Sequence, residues 1–266
     1  MLTPLSFFDL SDFTHRALFQ DSTHVWDALK NLKAYMNGLD YGTFRHKRLQ
    51  DGIPLPCHLI FHEGILQEAE SCIITWGDTL KGGLRVTLDG KELAGASVIM
   101  AGAVLLGNQI RLGKGVLIES GALIKDPAVI DDYTEVRQGA YVRGYCLTGK
   151  RCVIGHTTEV KHSIFLNDAK AGHFAYLGDS ILGNEANLGA GTKFANLRFL
   201  PGNVQIKTPN GALDSGLRKL GAILGDRSQT GCNSVTNPGT LLGKDSLLMP
   251  NTTAPSGYHS PKSMLR

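Results

Sequence analysis

A hydrophobic period of six residues, aliphatic–glycine pairs recurring on that period, and an excess of glycine together predict an all-β fold. The expected form is a left-handed parallel β-helix (hexapeptide repeats) behind a small, partly helical N-terminal region. The period starts near residue 98. Met100, Leu106, Leu112, Ile118, Ile124, Ile130, Val136, Val142, Thr148, Ile154, Val160 and Leu166 fill twelve consecutive sixth positions, and eleven of these are aliphatic. The rhythm returns at Leu182, Leu188 and Phe194, and again at Leu224, Thr230, Thr236, Leu242 and Leu248. Glycine directly follows the aliphatic residue at Gly107, Gly113, Gly155, Gly183, Gly189, Gly225 and Gly243. The chain holds 32 glycines in 266 residues, against a usual share of roughly 7%. Such a share implies many close backbone approaches or left-handed turns.

A period of six matches neither the 3.6 of a helix nor the simple alternation of a long strand. It does match one flat face of a triangular coil: a short strand, then a turn. Each aliphatic residue points into the prism, and the small neighbour relieves crowding at the corner. Successive coils stack as parallel strands about 4.8 Å apart. One repeat cannot bury its own apolar face, so stacking supplies the core and at least three repeats are needed. The aliphatic positions are therefore core and carry no chemistry. The repeat domain is assigned to residues 98–266 and the N-terminal region to residues 1–97.

Residues 1–55 read as mostly helical. Asp21 and Ser22 can cap a helix carrying Val25, Trp26, Leu29, Leu32 and Met36 on one stripe, with Gly38 at its end. His15, His24 and Asp27 have no partner constellation in the sequence and are expected on the solvated surface. Two apolar runs, at residues 72–76 and 84–88, read as strands leading into the repeats.

Bulk properties narrow the function. With 42% hydrophobic and 19% charged residues, the chain can bury enough apolar surface to fold without disorder. A net charge of +3 with scattered basic residues gives no nucleic-acid footprint. No secretory signal or membrane span is read, and none of the five cysteines (57, 72, 146, 152, 232) forms a C-x-x-C pair. Reduced thiols and a cytoplasmic location are expected, with no metal.

The rhythm lapses at residues 167–180 and 197–223, and insertions into a repeat commonly carry function. The first lapse holds His173 between a glycine and an aromatic residue, beside a cluster of asparagine and glycine. Imidazole in such company suits a general base.

Residues 170–192 read K-A-G-H-x-x-Y-L-G-D-x-x-x-G-x-x-x-N-x-G-A-G-T. With that motif, residues 135–196 resemble the hexapeptide-repeat acetyltransferase domain of the glucosamine-1-phosphate N-acetyltransferase / UDP-N-acetylglucosamine pyrophosphorylase family. Residues 195–199 and 215–225 are more similar to its archaeal sugar-1-phosphate nucleotidylyltransferase/acetyltransferase type. The resemblance implies transfer of acetyl from acetyl-CoA to the amine of an amino-sugar 1-phosphate, in a homotrimer. It makes His173 the general base and matches Arg137 and Lys161 to residues holding the phosphate end of the sugar. Tyr176, Asn187 and Lys219 match further substrate contacts. Ala190, Asn196 and Cys232 match contacts to acetyl-CoA, Asn196 near the reacting amine and thioester. The chemistry agrees: a protonated sugar amine needs a base before it can attack a thioester, and a phosphate needs cations.

Two departures stand out. That family opens with a nucleotide-binding domain and its glycine-rich loop, whereas residues 1–60 hold only Gly38, Gly42 and Gly52. The nucleotidyl-transfer half is expected to be missing. Leu197 also stands where the bacterial type has tyrosine. Two other readings remain: a non-catalytic sugar-nucleotide-binding or scaffold subunit, and a hexapeptide-repeat carbonic anhydrase. The second needs three zinc-binding histidines, and His156, His162 and His173 lack its spacing.

Overall fold

The computed structural model describes residues 2–42 and 46–266. From Ser97 onward, short parallel strands form a three-faced, left-handed β-helix of about nine turns. The first face runs from the strand Ser97–Ile99 up to Met264–Leu265, the second from Val104–Leu106 to Thr253–Ala254, and the third from Ile110–Leu112 to Gly257–His259. Leu112, Ile118, Ile124, Ile130, Val136, Val142, Ile154 and Val160 all point into one continuous buried core, as the period requires. Thr148 is also buried and spends its hydroxyl on the backbone, accepting from Asp131 N at 3.1 Å.

Three register details differ from the sequence count. In the first coil Leu105 pairs with Ile124 and Ile99 with Ile118, so Met100 and Leu106 stand one residue beyond the inward positions. Leu166 points outward, and Phe165 fills the core in its place. The corner between Val160 and Phe165 is one residue short, which makes Thr148 pair with Phe165.

The same shortening explains residues 167–180. They are not an inserted loop. The strands Lys170–His173 and Tyr176–Gly178 continue the prism, with Val153 opposite Lys170 and Glu159 opposite Tyr176. A lost corner residue breaks the count of six without breaking the coil. Residues 197–221 do leave the prism, as an arm containing the antiparallel hairpin Gln205–Thr208 and Gly211–Asp214, and the strand Ala222–Leu224 rejoins the third face. Its Val204, Ile206 and Leu220 bury themselves on the third face.

The third face is apolar outside as well as inside, and this dictates how the N-terminal region folds. Phe7, Phe8, Phe13, Phe19, Val25 and Trp26 pack against Val129, Leu147, Ile164 and Ile181. Aromatic residues laid along a flat surface need no helical period. Among the described residues of 1–55, α-helix is confined to Pro4–Phe7 and Asp27–Asn37, so the expectation of a mostly helical segment does not hold. The longer helix starts at Asp27, not after Asp21 and Ser22. Asp21 has a φ of 62°, and the Asp27 carboxylate accepts from His24 N at 2.7 Å. Ala28, Leu29, Leu32 and Met36 form its buried stripe.

His15 is another correction. It is 2% exposed, with Nδ1 2.9 Å from the Tyr35 hydroxyl and Nε2 3.6 Å from Asp131. The segment is also clamped to the corner between the third and first faces. Asn167 donates to Asp12 O, Asn184 donates to Asp9 O, and Asp226 accepts from Asp9 N.

The apolar runs at 72–76 and 84–88 do form strands, Cys72–Thr75 and Arg85–Leu88, which join Lys91–Glu92 in a small sheet. The hairpin Leu59–His62 and Ile65–Glu68 pairs antiparallel with Ser97–Ile99 and covers the open edge of the first face. No helix among the described residues is long and apolar enough to cross a membrane.

Candidate active site

Two sets of side chains flank the second face of the prism. The first lies on its corner with the first face. His173 ends the strand Lys170–His173 and is the Cα partner of His156 one coil below. Leu188 pairs with Ala171 and with Thr230. Two residues beyond those pairs, Ala190 and Cys232 continue the column above His173. His173 and Phe174 are exposed, and the His173 ring makes no hydrogen bond to another described residue. His156, by contrast, has Nδ1 2.9 Å from the carbonyl of Gln138.

The second set lies at the opposite edge, where the arm leaves the prism. Asp179, 7% exposed, is its centre. Its Oδ2 accepts from Asn196 Nδ2 at 2.6 Å and lies 3.6 Å from Lys161 Nζ. Its Oδ1 is 3.0 Å from His162 Nδ1, and the carboxylate only accepts, so that ring nitrogen carries the hydrogen. Burial alone would raise the Asp179 carboxyl. The His162 hydrogen bond, the charges of His162 and Lys161, and the Asn196 bond outweigh it, and the net direction is down.

Tyr176 projects outward from the same face, between Glu159 below and Lys193 above. Burial, with the charges of Glu159 and Asp179, raises its phenol above the ordinary value and keeps it a neutral donor. The lack of a side chain at Gly178 is what brings the Tyr176 hydroxyl and the Asn196 amide together: a Cβ there would strike both. Lys219 is exposed, and its backbone bridges to Leu197, while Leu220 N donates to Asn196 O at 2.9 Å.

The sequence-derived residues thus fall into groups. Lys161 and Asn196 converge on Asp179, the Tyr176 hydroxyl lies by the Asn196 amide, and the Lys219 backbone runs alongside. His173, Ala190 and Cys232 share one corner. Asn187 projects from the first face, opposite Lys170 and Gln229, on the other side of the His173 corner. Arg137 lies apart, in a groove of about 680 Å³ beside Trp76, and its guanidinium is bound to Glu135 at 2.7 Å. Nothing local in the sequence assigns Asp179 and His162 to this role. Asp179 stands inside the motif at 170–192, but a carboxylate in a turn carries no signal of what it holds. Among the described residues no group of three or more His, Cys, Asp or Glu is arranged to hold a metal.

A hexapeptide-repeat β-helix with polar side chains gathered on both edges of one face is the class of protein these features define. The comparisons fit that class. Residues 124–210 match the GMPPB C-terminal domain. The chain is 37% identical over 111 residues to a bifunctional sugar-1-phosphate nucleotidylyltransferase/acetyltransferase of Sulfurisphaera tokodaii, a stretch covering 42% of this chain and 28% of the relative. It is 38% identical over 106 residues to the bifunctional protein GlmU of Methanocaldococcus jannaschii, covering 40% and 26%. The chain thus spans about a quarter of the length of the curated relatives it matches. A solved UDP-N-acetylglucosamine acyltransferase of Francisella novicida aligns over 59% of this chain and 60% of its own, at 15% identity and a TM-score of 0.35. The repeat region is therefore similar to the hexapeptide-repeat acetyltransferase domain to which the motif at 170–192 pointed.

Proposed function

We propose that this chain is an acetyl-CoA-dependent N-acetyltransferase acting on an amino-sugar 1-phosphate, glucosamine 1-phosphate before others. The observation that carries the reading is the convergence of Lys161 and Asn196 on Asp179, with the Tyr176 hydroxyl by the Asn196 amide, at one edge of the face whose other edge bears His173. Those residues are far apart in sequence and of the types an amine, a phosphate and a thioester call for.

In this reading His173 removes a proton from the sugar ammonium, and the freed amine attacks the thioester carbonyl. A C–N bond forms, the C–S bond breaks, and coenzyme A leaves as the thiol once protonated. An exposed imidazole, free to meet the ammonium, is a side chain suited to that exchange. Lys161 supplies charge for the phosphate, Tyr176 and Asn187 hold sugar hydroxyls, and Asn196, Ala190 and Cys232 line the acyl donor. Lys219 and Arg137 are assigned to the substrate on the resemblance. The protein works in the cytoplasm as a homotrimer.

Thiol release from acetyl-CoA against a panel of amino-sugar phosphates tests the reading. Release that depends on the amine supports it. A protein that binds these sugars and releases no thiol is a sugar-binding scaffold instead.

A further inference from the structure

We propose that Asp179, braced by His162, is a positioning residue for acyl transfer: it fixes which way the Asn196 amide faces. The proposal rests on the acetyltransferase reading above. A side-chain amide has two ends of similar shape, and a site that needs one of them must prevent the other from turning in. Asp179 does so by chemistry. Its carboxylate has no hydrogen to give, so Asn196 presents Nδ2 to it, at 2.6 Å, and directs Oδ1 away. That oxygen accepts a hydrogen from the reacting amine and aims its lone pair. The Tyr176 hydroxyl, brought onto the same amide by the bare Cα of Gly178, completes the alignment.

The carboxylate must itself be held still. One oxygen is committed to His162 at 3.0 Å, and the other to Asn196 and Lys161. A buried charge with several donors is satisfied and rigid, and with a partner removed it is neither. His162 is packed from below by the Tyr145 ring, 6.3 Å between centroids, and Lys33 lies over that ring. His173 stands five residues from Gly178, about 17 Å of extended backbone at most. The two histidines therefore serve different tasks: one moves a proton, the other steadies the group that aims the amine.

The test uses the full chain with acetyl-CoA and glucosamine 1-phosphate as probes. It reads thiol release, acetyl-CoA affinity by calorimetry, and the thermal melt. Asp179→Asn lets Asn196 turn, so turnover should fall roughly 10- to 100-fold, the scale of a misplaced contact, with acetyl-CoA affinity and KM for the sugar within about threefold. His162→Ala should lower turnover in the same way. His162→Gln, whose amide still donates to Asp179, should restore it to within about twofold of wild type. Full turnover in Asp179→Asn overturns the proposal. So does His162→Gln behaving no better than His162→Ala, or loss of acetyl-CoA binding together with turnover, since a corner that merely packs gives those results. A wild-type chain that releases no thiol with any amino-sugar phosphate overturns the acetyltransferase reading and this proposal with it.

Discussion

His156 and His173 are Cα partners in adjacent parallel strands, so two imidazoles occupy one corner of the prism, a single coil apart. They are not equivalent. His156 is tied to the Gln138 carbonyl and lies 3.2 Å from the Thr157 hydroxyl, whereas the ring of His173 is exposed, lies beside the Phe174 ring and makes no hydrogen bond among the described residues.

That asymmetry predicts that His173→Ala lowers turnover by roughly 10²–10⁴, the usual span for a lost general base. Acetyl-CoA affinity should barely change, because the base meets the amine and not the nucleotide. His156→Ala, measured in parallel, should stay within about threefold of wild type. A folded His173→Ala protein that turns over like wild type would rule out its assignment as the base.

The cysteines divide by burial. Burial pushes the Cys146 thiol up to about 12 and raises Cys152 as well, while Cys232 is exposed on the column above His173. Iodoacetamide at mild alkaline pH should modify Cys232 first and leave Cys146 and Cys152 untouched in the folded protein, as read by peptide mass mapping. Acetyl-CoA should slow alkylation of Cys232. Unchanged rates at saturating acetyl-CoA would remove Cys232 from the donor site.

Gly155 marks a place where two coils touch through backbone alone. A Cβ on it would run into the carbonyl of Gly172 in the next coil, whereas a Cβ on Gly172 meets nothing within 4 Å. Gly155→Ala should cost about 1–3 kcal/mol, as overpacking does, and Gly172→Ala should cost little. Chemical denaturation of the two variants side by side separates these outcomes.

Acid stability should carry the signature of Asp179. Its carboxyl titrates below its unfolded value of about 3.9, so its stabilisation is present above that pH and is lost as pH falls through the lower folded value. The stability gap between wild type and Asp179→Asn in urea titrations should be level near neutrality and narrow below about pH 4. A gap that persists unchanged into strong acid would mean that the charge is not what Asp179 contributes.

Assembly follows from where Asn187 and Tyr176 point. They project from different faces, on either side of the His173 corner. Under the proposed function one acceptor meets both, and a second prism set against that corner would complete the cleft, so a homotrimer is the expected assembly. Light scattering coupled to gel filtration should report about three chain masses. A monomer at micromolar concentration would leave the shared cleft without a second wall.

Much of the prism was legible because its rule is local. An inward aliphatic at every sixth position can be counted, and Leu112 to Val160 obey the count. The count fails where a corner loses a residue: Leu166 falls on it yet points outward, and residues 167–180 break it yet stay in the prism. Nothing local marks a shortened corner. The N-terminal region is opaque for the opposite reason: its aromatic residues answer to the third face of the prism, which no neighbouring sequence reveals. In the site, the motif at 170–192 draws attention to His173 and the segment 195–199 to Asn196. The dyad of His162 and Asp179 is not legible there, because it exists only once coils stack 17 residues apart.

The N-terminal clamp has a bearing on how the molecule comes apart. A solenoid held only by contacts between neighbouring rungs melts from its ends, one rung after another. Here Asn167, Asn184 and Asp226, from three successive rungs, all grip the stretch between Asp9 and Asp12, and the flanking Phe7, Phe8 and Phe13 pack onto the same apolar face. No rung in that span can open without prying off a strap that the others also hold. The strap works as a splint, coupling the rungs so that fraying at either tip stops at its border and the middle of the rod unfolds as one event.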